Sequence, residues 1–229
     1  MFFIFSRKEY DVTLSCEENF KIEQAIISNG FNKSVNGDSY LAFSENDHHY
    51  LMLSDGIGHN KESSSLSLFL LQSINAYRKL EPNLIKQIEN SNILLKSKVD
   101  EERYATLDYV DFDLIKGEME MFKCGSFYSF LFRDDKLIKF KSNSPPIGIL
   151  LDIKTSSLKK ELKDNDILIF LTDGYLDNPD VCIEETMSSI KNFNVTKMCE
   201  ELDKVLSSKS SIKDDKTLMV LKVHDLRQK

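Results

Sequence analysis

The pattern of apolar and polar positions predicts strands in several parts of the chain. Strict alternation across 10–16 predicts a strand with one solvated face. Two apolar stretches, at 40–43 and 50–53, flank the polar segment 45–49, and this spacing predicts an antiparallel hairpin. The run 166–171 is almost continuously apolar, which is typical of a central strand buried on both faces.

Helical spacing of apolar residues predicts three helices. One follows Gly58, a second begins near Pro82, and a third begins at Val195 with Asn194 available to cap it. The stretch from about 105 to 149 returns to short strands separated by turn residues, which predicts a meander. Because strands and helix pairs come in blocks, without a strand–helix–strand rhythm, the order favours mainly antiparallel sheets layered with helices.

Composition narrows the class of protein. The 229 residues carry 30 Lys+Arg and 37 Asp+Glu, a net charge of −7, so we expect no nucleic-acid partner, which would call for a basic surface. No apolar stretch approaches the roughly 20 residues of a membrane helix. The apolar start at 1–5 lacks a basic leader and a cleavage site, and it predicts a first strand rather than an export signal. Four widely spaced cysteines favour a reducing cytoplasm.

Four short acidic motifs at predicted strand boundaries are the candidate chemistry. They are Asn-Gly-Asp-Ser at 36–39, Ser-Asp-Gly at 54–56, Thr-Asp-Gly at 172–174 and Asp-Asp-Lys-Thr at 214–217. Each motif alone is more often a turn than a ligand, but two apolar strands that both end in Ser/Thr-Asp-Gly indicate converging carboxylates. Carboxylates without His or Cys select Mg²⁺ or Mn²⁺ over zinc. A pair of such ions can activate water for attack on a phosphoryl group.

The ordered set of motifs resembles metal-dependent protein phosphatases of the 2C class, and most closely the bacterial branch typified by stage II sporulation protein E. The resemblance covers about residues 30–223, and its segments are 33–40, 54–58, 104–108, 123–126, 144–149, 172–174 and 213–217. It implies an α+β fold, a four-layer α/β/β/α sandwich of two mainly antiparallel sheets flanked by helix pairs. It also implies one phosphatase domain over 1–229, with the metal site at one end between the sheets.

The same resemblance implies a role for particular residues. Two Mn²⁺ or Mg²⁺ ions would be held by Asp38, Asp55, the Gly56 carbonyl, Asp173 and Asp214, and these four aspartates would be the catalytic residues. Asp215 would support the site or bind a metal more weakly. Lys33 stands where many relatives carry arginine, five residues before Asp38, and would bind the substrate phosphate.

Two departures from the family pattern affect the expected chemistry. Gly37 stands where many relatives have glutamate, so one carboxylate is missing, although the sporulation branch also has Gly-Asp there. Ile57 stands where many eukaryotic members carry a histidine proposed as the acid for the leaving group, so that acid is unassigned. His59 is interpreted as a solvated loop residue and Cys124 as a core residue.

The function implied is hydrolysis of phosphoserine or phosphothreonine by direct attack of metal-activated water. The substrate would be a regulatory phosphoprotein such as an anti-sigma-factor antagonist, in the cytoplasm, with a homodimer left open. One alternative is a catalytically weak homologue that binds phosphoproteins, which the retention of all four acidic motifs disfavours. Another is a two-metal phosphodiesterase or nuclease, which the acidic composition disfavours.

Overall fold

The computed structural model describes residues 19–31, 35–58, 61–98, 103–153, 156–175 and 177–228. The strands predicted at 1–5 and 10–16 lie outside these ranges. In chain order the strands are β1 (Phe20–Asn29), β2 (Asp38–Glu45), β3 (His48–Asp55), β4 (Leu107–Asp113), β5 (Glu118–Cys124), β6 (Ser129–Arg133), β7 (Lys136–Phe140), β8 (Ser157–Glu161), β9 (Ile167–Leu171) and β10 (Lys216–Asp225). The helices are α1 (Lys61–Arg78), α2 (Leu84–Lys98), α3 (Asp180–Ile190) and α4 (Val195–Lys209), and a short 3₁₀ turn (Leu226–Gln228) follows β10.

The strands form two five-stranded sheets. The first sheet has the order β1-β10-β9-β6-β7 and the second has the order β2-β3-β4-β5-β8. Each neighbouring pair is antiparallel. The expected mainly antiparallel arrangement is therefore confirmed.

Three layers of apolar side chains hold the sheets and helices together. The two sheets face each other across one buried cluster that includes Leu53, Phe170 and Met219. Helices α1 and α2 cover the outer face of the second sheet, and α3 and α4 cover the outer face of the first sheet. This is the four-layer α/β/β/α sandwich that the motif order implied.

The predicted hairpin is present, and its turn is shorter than the polar segment suggested. Asn46 and Asp47 both have positive φ, 51° and 61°, and form the two-residue turn between β2 and β3. His48 and His49 are therefore the first residues of β3 and not part of the hairpin tip, and His49 is buried.

The other strong patterns also correspond to elements of the structure. Strand β9 lies between β10 and β6, and all five of its residues are buried, as the continuous apolar run predicted. The side chain of Asn194 accepts a hydrogen bond from the backbone N–H of Lys197 and caps α4. Pattern analysis missed β8 because this edge strand is mostly exposed and reads Ser-Leu-Lys-Lys-Glu, without an apolar alternation.

Within the described ranges, no helix combines the length and apolarity needed to cross a bilayer.

Candidate metal centre

The β2–β3 hairpin places the first two predicted ligands opposite each other. Asp38 is the first residue of β2 and Asp55 is the last residue of β3, and the two are paired in the strand register. The backbone of Asp55 is held on both sides by Thr106, whose hydroxyl accepts from the Asp55 N–H at 2.9 Å and whose own N–H donates to the Asp55 carbonyl at 2.8 Å. Both carboxylates therefore project from a fixed backbone.

The side chain of Asp38 joins the two sheets. Its Oδ2 accepts hydrogen bonds from the hydroxyls of Thr172, at 2.9 Å, and Thr217, at 2.7 Å. Thr217 lies on β10 and Thr172 directly follows β9, so both come from the first sheet. The other oxygen, Oδ1, is buried and has no hydrogen-bond partner among the described residues. A buried carboxylate oxygen without a partner is costly, and a bound cation would relieve that cost.

The remaining predicted ligands reach the same end of the sandwich from the first sheet. Asp173 lies two residues after β9 and Asp214 lies two residues before β10, and these two strands are antiparallel neighbours. The turn after Asp173 passes close to the chain that precedes β10. A Cβ at Gly174 would lie 2.0 Å from the carbonyl oxygen of Asp215, so only glycine allows this approach.

Burial, together with nearby negative charge, raises the pKa of the Asp38 and Asp55 carboxyl groups. Burial is the main cause for Asp55, whose pKa rises to about 9, and the charges of Asp38, Asp173, Asp214 and Asp215 add to the effect. Burial also raises the pKa of Asp38 to about 7, against the hydrogen bonds from the two threonine hydroxyls. A divalent cation would favour the ionised form of both groups.

Asp215 has a different environment from its neighbour Asp214. It is buried, and its two oxygens accept the backbone N–H groups of Phe31, at 2.7 Å, and Gly37, at 2.6 Å. A Cβ at position 37 would lie 2.9 Å from Asp215 Oδ2 and 3.1 Å from the Gly58 carbonyl, so there is little room for a side chain here. The Asp215 carboxylate thus holds the segment that leads into Asp38.

Gly56 is fixed by the close packing of α1. A Cβ at this position would lie 2.2 Å from the carbonyl oxygen of Ser63, in the first turn of that helix. The absence of a side chain at Gly56 therefore brings its backbone, which follows Asp55 directly, against the helix. Gly56 therefore lies at the acidic end of the sandwich, and the role of its carbonyl as a ligand stays a prediction from the resemblance.

A cleft of about 440 Å³ opens at the acidic end. The lining includes Asp55 and Asp173, residues 125–128, and Lys141, Ser142 and Ser144. Ile57, which follows Gly56, is an apolar residue and is 43% exposed, so the acid for the leaving group stays unassigned. Cys124 is fully buried in the core and burial raises its pKa to about 12, which confirms its interpretation as a core residue and excludes a reactive thiolate.

Sequence reasoning assigned no role to a buried ion pair beside this cleft. Lys123 donates to Asp108 and to the Ser129 hydroxyl, the latter at 2.7 Å, and the Ser126 hydroxyl donates to Asp108 at 2.9 Å. The Asp108 and Lys123 side chains are only 1% and 5% exposed. The available signal was local: Asp108 stands between Leu107 and Tyr109, and Lys123 stands between Phe122 and Cys124.

The donor set fits a hard divalent cation that keeps water ligands. Within the described part of the chain, no three Asp, Glu, His or Cys side chains form a cluster that could hold a metal ion by themselves. Mg²⁺ usually binds one or two carboxylates and retains several water molecules. The unpartnered oxygen of Asp38, the carboxylate of Asp55 and a backbone carbonyl are oxygen donors of the kind that such an ion takes.

The structure brings most of the predicted site residues to one end of the sandwich. Asp38, Asp55 and Gly56 come from the second sheet, and Asp173 and Asp214 come from the first sheet. Lys33 and His59 lie outside the described residues. The placement of the four aspartates depends on two strand pairs that are far apart in sequence.

Comparison with solved structures shows the class of fold to which the chain belongs. The fold is that of the PP2C-like phosphatases. The structure aligns at a TM-score of 0.78 with the PP2C phosphatase domain and a regulatory-domain fragment of SpoIIE from Bacillus subtilis, at 23% identity over 91% of this chain and 65% of that one. The catalytic domain of the serine threonine protein phosphatase PstP with two manganese ions aligns at 0.72 and 17% identity, over 90% of this chain and 100% of that one.

The chain belongs to the stage II sporulation protein E (SpoIIE) family, whose match spans residues 45–224. Stage II sporulation protein E of Priestia megaterium is 31% identical over 176 residues, which is 73% of this chain and 29% of that protein. The chain thus spans less than a third of the length of the curated relatives it matches. The family match begins after Asp38, so it includes Asp55, Gly56, Asp173 and Asp214 but not the first predicted ligand.

Proposed function

We propose that this domain is a protein serine/threonine phosphatase that uses two Mn²⁺ or Mg²⁺ ions. The observation that carries the proposal is the meeting of four acidic motifs at one end of the sandwich, with a buried and unpartnered oxygen on Asp38. Membership of the SpoIIE family supports the same activity. The PstP structure with two manganese ions shares the fold, which supports the choice of ions.

Each residue of the centre has a separate proposed task. Asp38, Asp55, the Gly56 carbonyl, Asp173 and Asp214 would hold the ions. When bound, the ions supply a water nucleophile at neutral pH and neutralise charge on the phosphoryl group. The hydroxyls of Thr172 and Thr217 orient Asp38 through Oδ2, which leaves Oδ1 for a cation. Asp215 fixes the chain before Asp38 through the N–H groups of Phe31 and Gly37.

The proposed substrate is a phosphoprotein, and the anti-sigma-factor antagonists remain the candidate class because of the family resemblance. Lys33 is proposed to bind a phosphate oxygen as a point charge. We expect Lys33→Ala to raise KM and lower kcat/KM on a phosphoprotein, with a loss that salt reduces, and Lys33→Arg to retain activity. Unchanged kinetics for Lys33→Ala at low ionic strength would assign this lysine to the solvated surface.

The test is hydrolysis of p-nitrophenyl phosphate with Mn²⁺, with Mg²⁺ and with EDTA. We expect turnover with either ion and none in EDTA. Mutation of a residue that only supports a metal ligand typically reduces activity by about 10–100-fold. Asp55→Asn and Asp173→Asn remove proposed ligands themselves, so we expect their turnover to fall by at least about 100-fold. The matched control is Asp152→Asn, an exposed aspartate outside the cleft lining, which should keep wild-type activity.

Three outcomes would contradict the proposal. Full turnover in EDTA, or a phosphoryl group trapped covalently on the protein, would exclude direct attack by a metal-activated water. Binding of phosphoprotein without turnover under any metal condition would favour the phosphoprotein-binding alternative. Hydrolysis of bis(p-nitrophenyl) phosphate faster than the monoester would favour a phosphodiesterase.

A further inference from the structure

A second cavity of about 440 Å³ adjoins the acidic cleft and has the opposite charge. It lies beside β5, β7 and the edge strand β8, and it shares Lys141 and Ser144 with the cleft. Its described lining residues include Lys123, Lys139 and Lys141 and no aspartate or glutamate. In a chain with a net charge of −7, a cavity lined by basic and uncharged residues is a local reversal of charge.

The three lysines differ in whether their charge is neutralised. Lys123 is buried and paired with Asp108. Lys139 donates to both oxygens of Asp180, each at 2.8 Å. Lys141 is exposed and forms no ion pair with a described residue, so its charge is available at the junction between the cleft and the cavity.

The wall at this junction is a fixed aromatic surface. The ammonium group of Lys139 lies 3.4 Å from the centre of the Tyr128 ring, and that of Lys141 lies 5.7 Å from it. The Phe127 and Tyr128 rings are 4.8 Å apart. Asp180 anchors Lys139 against the Tyr128 ring, and the ammonium group of Lys141 lies over the same ring.

We propose that this lysine-lined cavity binds an acidic segment of the phosphoprotein substrate, next to its phosphorylated serine. The inference rests on the proposed function, because it takes the acidic cleft as the place where the phosphate is bound. A chain that leaves the cleft toward β8 passes Lys141 and enters the cavity, where aspartate or glutamate side chains find a positive charge and no opposing carboxylate among the described lining residues. Asp177, which is not a proposed metal ligand, lines the cleft and not this cavity, so it would repel the same segment there.

The test is a set of phosphoserine peptides of equal length, in which an Asp-Asp, Asn-Asn or Lys-Lys pair is moved stepwise along both sides of the phosphoserine. The measured quantity is the ratio of kcat/KM for the acidic peptide to that for the neutral peptide. An exposed charge pair is worth up to about 1 kcal/mol, so we expect a ratio of up to about fivefold, on one side of the phosphoserine only, and this ratio should decrease with added salt.

Lys141→Glu should invert the preference in favour of the Lys-Lys peptide. The matched control is Lys136→Glu. Lys136 is exposed at the start of β7 and lines neither the cleft nor the cavity, so this charge reversal should keep the wild-type ratio.

Equal rates on acidic and neutral peptides at all positions would overturn the inference, and so would an unchanged preference in Lys141→Glu. A failure of the proposed function gives a different result, which is the absence of metal-dependent hydrolysis of all peptides and of p-nitrophenyl phosphate. In that case fluorescence anisotropy of the labelled peptides tests the inference by itself. Tighter binding of the Asp-Asp peptide, lost in Lys141→Glu, supports it, and equal binding of the peptides contradicts it.

Discussion

Asp214 and Asp215 are adjacent residues whose contacts suit different tasks. The Asp215 carboxylate accepts two backbone N–H groups from the segment before Asp38, whereas Asp214 is half-buried at the acidic end and accepts the N–H of Asp215 at 2.7 Å. An asparagine at 215 would present an N–H₂ group to one of those backbone donors. An asparagine at 214 would instead remove a proposed metal ligand.

We therefore expect the two asparagine variants to affect different measurements. Asp215→Asn should lower the free energy of unfolding by about 1–3 kcal/mol, the usual cost of leaving a buried hydrogen-bonding group unpaired. Asp214→Asn should leave the apo protein at least as stable, because it removes one of several crowded charges, and should lose more turnover than Asp215→Asn. Urea unfolding in EDTA and p-nitrophenyl phosphate turnover with Mn²⁺ separate the two effects. The reverse order of activity loss would move the ligand from Asp214 to Asp215.

At the scale of single elements, β3 carries two adjacent histidines whose pKa values shift in opposite directions. The His48 ring lies 2.6 Å from Asp111 on β4, and this hydrogen bond raises its pKa. His49 points into the sandwich, where Nε2 lies 3.1 Å from Gln24 Oε1 on β1 and Nδ1 lies 3.0 Å from the Ser44 hydroxyl. Burial lowers the pKa of His49 to about 4.

These shifts predict opposite dependences of stability on pH. Below about pH 6.5 the unfolded chain protonates His49 and the folded protein does not, so wild-type stability falls from pH 6.5 toward 4. Because one pKa unit corresponds to about 1.36 kcal/mol, the shift of the His49 pKa from 6.5 to about 4 lowers the free energy of unfolding by at most roughly 3 kcal/mol. His49→Gln should remove this acid-side loss. His48→Gln, the control, removes a stabilisation that exists below about pH 6.5 and disappears as the pH rises through the raised pKa of His48, so it should destabilise at pH 5 more than at pH 8.

Urea unfolding at half-unit pH intervals measures both slopes, and only the change of each difference with pH is compared. Any pH-independent loss from the missing hydrogen bonds of His49→Gln cancels in that comparison. Parallel curves for wild type and His49→Gln between pH 4 and 7 would show that His49 does not titrate as proposed.

Strands β4 and β5 are joined by the buried pair of Asp108 and Lys123, which face each other in the strand register. Burial raises the pKa of Asp108 and lowers that of Lys123, while their mutual attraction opposes both shifts. Each charge is tolerated in the interior because the other is present. The pair also holds the hydroxyls of Ser126 and Ser129 beside the cleft.

Removal of one partner should therefore cost more than removal of both. We expect Lys123→Met to destabilise by about 3–5 kcal/mol, because it leaves a buried carboxylate uncompensated. The double variant Lys123→Met with Asp108→Leu should recover most of that loss, since well-packed apolar residues often replace a buried ion pair without net cost. A double-mutant cycle measured by chemical unfolding gives the coupling directly. Additive losses would contradict the strong coupling of the pair.

At the scale of the whole molecule, polar side chains connect the two sheets at the acidic end. Thr172 and Thr217 reach across from the first sheet to Asp38 on the second. The proposed ligands also divide between the sheets, with Asp55 on one and Asp173 on the other. Cations bound there would link the two halves of the sandwich.

Divalent cations should therefore stabilise the folded domain as a whole. A ligand at 100 times its Kd stabilises by about 2.7 kcal/mol. In a chain of this size that raises the Tm by about 5–11 °C, at about 2–4 °C per kcal/mol. We expect Mn²⁺ or Mg²⁺ to raise the Tm measured in EDTA by this order, and Asp55→Asn and Asp173→Asn to lose most of the rise. Asp152→Asn should keep it, and an equal rise in all three variants would show that the ions bind elsewhere.

Periodicity and short motifs predicted many of the regular elements, because their signals are local, but they missed β1 and α3. The alternation in β2 and β3, the buried run of β9 and the capped helix α4 each follow from neighbouring residues and are present in the structure. The ordered acidic motifs predicted the sandwich and the family, and both are confirmed. The lysine-rich edge strand β8 was missed because its partner strand and its exposure, and not its own sequence, make it a strand.

The sequence by itself determined the candidate ligands and the elements that carry them, since side-chain chemistry and chain spacing are properties of the linear chain. Only the tertiary structure decided that Asp215 supports the chain before Asp38 and that His49 is buried in the sandwich. The tertiary structure also decided that Lys123 compensates Asp108 and that the cleft continues into a lysine-lined cavity. Each of these features joins residues from different elements of the fold. The cost of burying a charge or a polar group depends on what the fold places next to it, which no local pattern specifies.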